Sequence, residues 1–167
     1  MSEVEKKLKE FAEYLKKINH YTTAGNLMYW DMTTGMPEAM AESRAETLSF
    51  FQTEVHSLNV SPKIAEFIEF FESHMGEFDY IHKRMTEQLK KKYENQKRYP
   101  EEFIKEFSLA ASRGEVAWEK AKNASDFDVF KPALEKIVDL TKKSIEYKGY
   151  EDNKYDALLD DYEAGLT

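Results

Sequence analysis

Apolar residues recur along this chain at the three- and four-residue steps of helices. Val4, Leu8, Phe11, Leu15 and Ile18 form the first stripe, and Ser2 with Glu5 has capping-box spacing just ahead of it. The pattern predicts a second helical segment over 24–30, closed by the breaker-rich run Thr33-Thr34-Gly35-Met36-Pro37, and a third from about 38 to 58. Ser61 as cap with Pro62 in the first turn starts the next helix, striped by Ile64, Phe67, Ile68 and Phe71, with Gly76 as its stop. Phe78, Ile81, Met85, Leu89 and Tyr93 line one side of the helix that follows, with basic residues opposite. Pro100 opens another, carrying Phe103, Phe107, Ala111, Trp118 and Ala121. Gly114 inside it marks either a weakened turn or a close approach of another backbone. A long helix from about 128 to 148, with Leu134, Ile137, Val138, Thr141 and Ile145 on its stripe, ends at Gly149. A short helix over 155–162 follows.

No segment alternates polar and apolar residues with β-branched enrichment, so the expected fold is all-α. Short loops imply an antiparallel helical bundle or array of about six to eight helices without a sheet. At 167 residues the chain is long enough for one helical domain with a real core, spanning 1–167. No apolar run approaches the roughly 18 residues of a membrane span. The N-terminus lacks the apolar stretch of a secretory signal, and there is no cysteine for disulfides or thiolate metal sites. A cytoplasmic protein, with no membrane partner, is the expectation.

Net charge is −8, which disfavours nucleic acid as a partner. Between Lys83 and Arg98 there are seven Lys or Arg against two Glu, and between Glu151 and Glu163 six acidic residues against Lys154. Both runs read first as solvated helix faces; a docked partner, or pairing of the two runs with each other, is the alternative.

The specific signals are three. Leu27 to Arg44 contains Trp30-Asp31, Pro37 and Arg44; Trp118 to Pro132 contains Asp126-Phe127-Asp128-Val129-Phe130-Lys131-Pro132; and the end of the chain carries Tyr155, Asp156, Asp160, Asp161 and Tyr162 before Gly165-Leu166-Thr167. Together they resemble the N-terminal portion of the carboxypeptidase Taq family of thermostable metallocarboxypeptidases. The likeness covers essentially the whole chain but only part of a longer family pattern. One departure is Ala164, where the family commonly has proline.

The resemblance implies a mostly helical homodimeric enzyme that removes single residues from peptide C-termini with zinc or cobalt. Its metal is held by the two histidines of an H-E-x-x-H helix and a later glutamate, the motif glutamate activating a metal-bound water. That motif is missing here. His20, His56, His74 and His82 are never four apart, and none is followed by Glu. Asp79-x-x-His82 has the spacing that di-iron bundles use in pairs, but no second copy accompanies it; His74 and His82 read as surface or helix-end residues. The acidic run at the end lacks the ligand spacing of an EF-hand and reads as a solvated face with Leu158 and Leu159 tucked in. No Gly-rich phosphate loop or nucleophile context occurs.

The chain therefore reads as a wall or lid over the substrate groove of a metallocarboxypeptidase. No catalytic residue, no metal ligand and no activity of its own are expected, and zinc or cobalt, the peptide substrate and the catalytic half belong to the complete enzyme. The signature residues Trp30, Asp31, Pro37, Arg44, Trp118, Tyr155, Asp156, Asp160, Asp161 and Tyr162 are expected to be structural or groove-lining. In the structural reading, which is preferred, Trp30 is buried and Asp31 caps a helix or bonds the Thr33-Thr34 turn; in the other the pair lines the groove. An Asp31–Arg44 ion pair is suggested by the signature alone, and Trp118 reads as core. Apolar stripes left for a missing half, on Phe67-Phe71 or Leu134-Val138, would favour self-association. The competing readings are a free-standing helical module that binds a protein through a groove or the basic face, and a metal-storing bundle, which the histidine spacing disfavours.

Overall fold

The computed structural model describes residues 1–163; Ala164, Gly165, Leu166 and Thr167 lie outside the described residues, as does the side chain of Asp160. The helices are α1 (Glu3–Thr34), α2 (Ala41–Asn59), α3 (Pro62–Ser73), α4 (Tyr80–Lys97), α5 (Glu101–Ala124), α6 (Phe127–Lys148) and α7 (Asp156–Tyr162), with single 3-10 turns at Glu38–Met40 and Met75–Glu77. No strand occurs among the described residues. The all-α expectation holds.

The helices divide into two compact units. The first joins Met1–Met36 to Phe50–Lys97, and the second joins Pro37–Ser49 to the chain from Arg98 on, so α2 gives its first half to one and its second half to the other.

In the first unit α1 begins at the capping box: Glu5 N–H donates to Ser2 Oγ at 3.1 Å and Ser2 N–H to Glu5 Oε2 at 2.7 Å. Two helical segments were expected over this stretch, but α1 runs unbroken through Ala24 and Gly25 to Thr34. Met28 and Met32 extend the inward stripe past Ile18 (Met32 is buried), so tertiary contact carries the helix across its weakest residue. A Cβ on Gly25 would lie 3.7 Å from Phe51 Cβ, an ordinary contact distance, so α2 passes directly beside this position.

Helix α3 is short and strongly two-faced. Ser61 accepts the Ile64 N–H and Pro62 sits in the first turn, as the sequence predicts. Ile64, Phe67, Ile68 and Phe71 are buried with Phe11, Phe78 and Tyr93 in one cluster. Phe11 meets Phe67 and Phe71 edge-on at 5.1 and 5.4 Å between ring centres, the favoured aromatic geometry. Phe67 and Phe71 are thus the centre of this core and not an exposed stripe. Ile81, placed on the inward stripe of α4 by its spacing, is 72% exposed instead. Tyr14 donates from its hydroxyl to Leu58 O at 3.1 Å and shares a hydrogen bond with Ser61 Oγ at 2.8 Å, fastening α1 to the α2–α3 corner.

In the second unit α5 and α6 form an antiparallel hairpin. Tyr147 near the end of α6 packs edge-on against Phe103 near the start of α5 at 5.1 Å, and Lys136 pairs with Glu106 at 2.5 Å. The first half of α2 runs along α5: Ser49 Oγ donates to Lys105 O at 3.2 Å, Arg113 binds Glu42 through two nitrogens, and Lys120 meets Glu38 at 2.5 Å. Gly114 is the close-approach glycine, since a Cβ there would lie 2.6 Å from Ile137 Cδ1. Ser125 ends α5 in the left-handed region, at φ 51°. Its N–H bonds Lys122 O while that of Asp126 bonds Ala121 O, a Schellman closure usually built on glycine. Asp126 Oδ1 then accepts the Asp128 N–H to open α6, and Gly149, at φ 79°, closes it.

Candidate functional site

The signature residues start on the last turns of α1. Trp30 is 66% exposed and Asp31 half-buried. The expectation of a buried Trp30 is corrected: the inward positions of this stretch are taken by Gly25, Met28 and Met32, and Trp30 falls on the opposite side. The Thr33-Thr34 stretch is no turn but the final helical residues. Thr34 Oγ1 donates to Trp30 O at 2.7 Å, and Thr33 Oγ1 donates to the Tyr29 and Trp30 carbonyls. The helix ends where the Gly35 and Met36 N–H groups both donate to Asp31 O, at 3.1 and 3.0 Å. Pro37 caps the 3-10 turn that follows. Arg44 is half-buried on α2, and neither Asp31 nor Arg44 lacks an interaction partner.

Trp118 is not core either. It is 44% exposed on α5, with Lys122 Nζ 4.9 Å from its ring centre, a cation–π distance. With Phe130 it walls an α5–α6 groove of about 500 Å³ floored by Ala111, Gly114 and Ile137, with Glu115 also lining it. At Gly114 the place of a Cβ is taken by the end of the Ile137 side chain, which closes the floor. In the first unit a second hollow of about 500 Å³ lies between α3 and α4, among Ala65, Ile68 and Tyr93, and the Lys90–Glu72 pair at 2.5 Å lies on its wall.

The third signature segment is held by a residue the sequence reading passed over. Lys148, whose side chain is only 10% exposed, donates to Ala157 O and to Asp161 Oδ1, each at 2.5 Å. Its own carbonyl accepts from Arg98. Asp161 also acts on Tyr99: burial, then the nearby Asp161 charge, raises the Tyr99 phenol above its usual value. Tyr155 and Tyr162 are exposed, Asp156 half-buried in the first turn of α7. Of the residues expected to tuck in, Leu158 and Leu159 are half-buried and Ala157 is the buried one. The acidic run thus takes its ion pair from α6. Nothing but a late position in a helix marked Lys148 in the sequence.

The four histidines are dispersed along the chain. His20 is exposed on α1 and His56 buried in α2. His74 ends α3 with Nδ1 2.9 Å from Ser73 Oγ and 2.8 Å from Phe70 O. Asp79 is an N-terminal cap of α4: its Oδ1 accepts from His82 N–H at 2.9 Å and lies 2.7 Å from His82 Nδ1. Those contacts, the backbone N–H first, lower the Asp79 carboxyl below its ordinary value. Its oxygen is already committed to the helix end, which gives the isolated Asp-x-x-His a structural purpose. No group of three or more metal-binding side chains converges among the described residues.

The chain is 40% identical over 159 residues to carboxypeptidase 1 of Bacillus subtilis (strain 168), covering 95% of this chain and 32% of that protein. It is 34% identical to thermostable carboxypeptidase 1 of Pyrococcus furiosus, covering 86% of this chain and 28% of that one. The BsuCP crystal structure superposes with a TM-score of 0.93 at 39% identity, over 97% of this chain and 33% of that one. The chain thus spans about a third of the length of these relatives. Residues 10–167 match the sequence profile of the carboxypeptidase Taq (M32) metallopeptidases, and the chain belongs to that family.

Proposed function

We propose that residues 1–167 act together as one helical region of a metal-dependent carboxypeptidase, a wall or lid beside its substrate groove, with metal binding and bond cleavage carried by sequence outside this stretch. One observation carries this reading: a family match over nearly the whole chain coincides with a sequence that contains no H-E-x-x-H. In the whole enzyme the metal is zinc or cobalt, the substrate a peptide losing its C-terminal residue, and the assembly a homodimer. The cytoplasm is its compartment, which the absence of cysteine suits. Asp31, Pro37, Asp156 and Asp161 serve the geometry of helix ends, and the Asp31–Arg44 pairing stays part of this reading.

The test has two parts. The purified chain, supplied with zinc or cobalt, is expected to release no C-terminal amino acid from peptides. A chimera in which residues 1–167 replace the matching third of the Bacillus subtilis carboxypeptidase is expected to do so, and to lose the activity to a chelator. Chelator-sensitive release by the chain alone overturns the reading, and so does a folded chimera without activity.

A further inference from the structure

Helix α1 changes character on its outward side. Lys9, Glu13, Lys16 and His20 recur there at steps of four and three and are all exposed, as on any solvated helix. The same side then continues through Thr23, Leu27, Trp30 and Thr34, also exposed. Leu27 is 64% exposed. The Thr34 hydroxyl is turned back onto the Trp30 carbonyl, which satisfies it within the helix. The opposite side carries Met32, which is buried, and Gly25, against Phe51. The final third of α1 therefore carries two exposed large apolar side chains, Leu27 and Trp30, opposite its buried side, while the outward positions of the first two thirds are charged or polar. Such a helix is normally covered on both sides.

We infer that the Leu27–Trp30 face of α1 is the surface on which the remainder of the metallocarboxypeptidase polypeptide docks. The inference rests on the functional reading above. Length argues for this occupant: the relatives are about three times as long as the matched stretch, so two thirds of such a polypeptide must pack somewhere. Area argues against a second copy. One Trp, one Leu and two threonines offer roughly 300 Å², against about 800 Å² per partner in a stable complex. A segment of the same polypeptide needs no such area, because the covalent connection keeps it at high effective concentration.

The chain has no cysteine, so Leu27→Cys, at an exposed position, introduces one maleimide target. Lys9→Cys on the charged part of the same side is the control. Each is labelled in the isolated chain and in the chimera with the Bacillus subtilis enzyme, and the modified peptide is quantified by mass spectrometry. Leu27→Cys is expected to react at least tenfold more slowly in the chimera, with Lys9→Cys unchanged. Equal reaction in both settings overturns the docking face, whether or not the chimera is active. Protection in the isolated chain that grows with its concentration assigns the face to a second copy and overturns the inference. Protection in the chimera only on adding peptide assigns it to substrate and does the same. A protected Leu27→Cys in an inactive chimera sustains the docking face while the functional reading fails.

Discussion

Gly114 and Ile137 face each other across the α5–α6 hairpin with no room for an unadjusted methyl group. The obstructing atom is the far end of an isoleucine, which can rotate at about 0.5–1.5 kcal/mol. Alanine returns about 1 kcal/mol of helix propensity, so Gly114→Ala is expected to leave the denaturation midpoint nearly unchanged. Gly114→Val adds branched bulk that rotation does not clear and should cost about 1–3 kcal/mol; an unchanged midpoint for Val would show the contact to be soft. At Ser125 the sign reverses. A left-handed non-glycine residue costs about 1–2 kcal/mol, and glycine there gives back about 0.4–1 kcal/mol of it through unfolded-state entropy. Ser125→Gly is expected to stabilise by about 0.5–1 kcal/mol in chemical denaturation. The left-handed turn was not visible in the sequence, because serine carries none of the signal that glycine would.

At the scale of elements, a nearly buried lysine decides whether α7 stays docked. Seven residues form too short a helix to persist alone, and Lys148 ties it to α6 at two points. Lys148→Met removes hydrogen bonds from a charged donor, worth about 1.5–3 kcal/mol. Amide exchange within 156–162 should therefore rise about ten- to a hundredfold while α3 and α4 keep their protection. Asp161→Asn should do less, because the Asp161 side chain is exposed and such pairs are worth about 1 kcal/mol or less. Equal effects from the two variants would shift the weight from the Ala157 carbonyl to the ion pair. Helix α1 teaches the complementary point. Its sequence falls into two stripes because Asn19 and His20 follow Ile18 and glycine follows Ala24, but Phe51 and its neighbours on α2 stabilise the backbone across that gap.

At the scale of the molecule, charge pairing sets the response to acid. Glu10, Glu38, Glu42 and Glu106 are all held below the ordinary 4.5, chiefly by hydrogen bonds from Lys63, Lys120, Arg113 and Lys136. Groups lowered in the folded state stabilise it fully above their unfolded value and lose that contribution as pH falls through the folded one. Stability should thus fall progressively below about pH 4.5, less steeply in high salt, because these pairs are solvent-exposed. Tyr99, raised in the folded state, adds the opposite limit: its contribution is complete below pH 10.0 and is lost above it. Urea midpoints across these two windows check both signs; a midpoint insensitive to acid would mean that the pairs form equally in the unfolded chain. What the sequence determined by itself is local or periodic: the helices apart from the continuity of α1, the Ser2 and Ser61 caps, the Gly149 stop and the family signature, each readable within a few residues. Tertiary structure alone decided that Phe67 and Phe71 lie inside, that Trp30, Ile81 and Trp118 face outward, that Gly114 seats Ile137, and that Lys148 holds the last helix. A helix turns every residue towards some direction, but which direction is interior depends on partners supplied from tens of residues away.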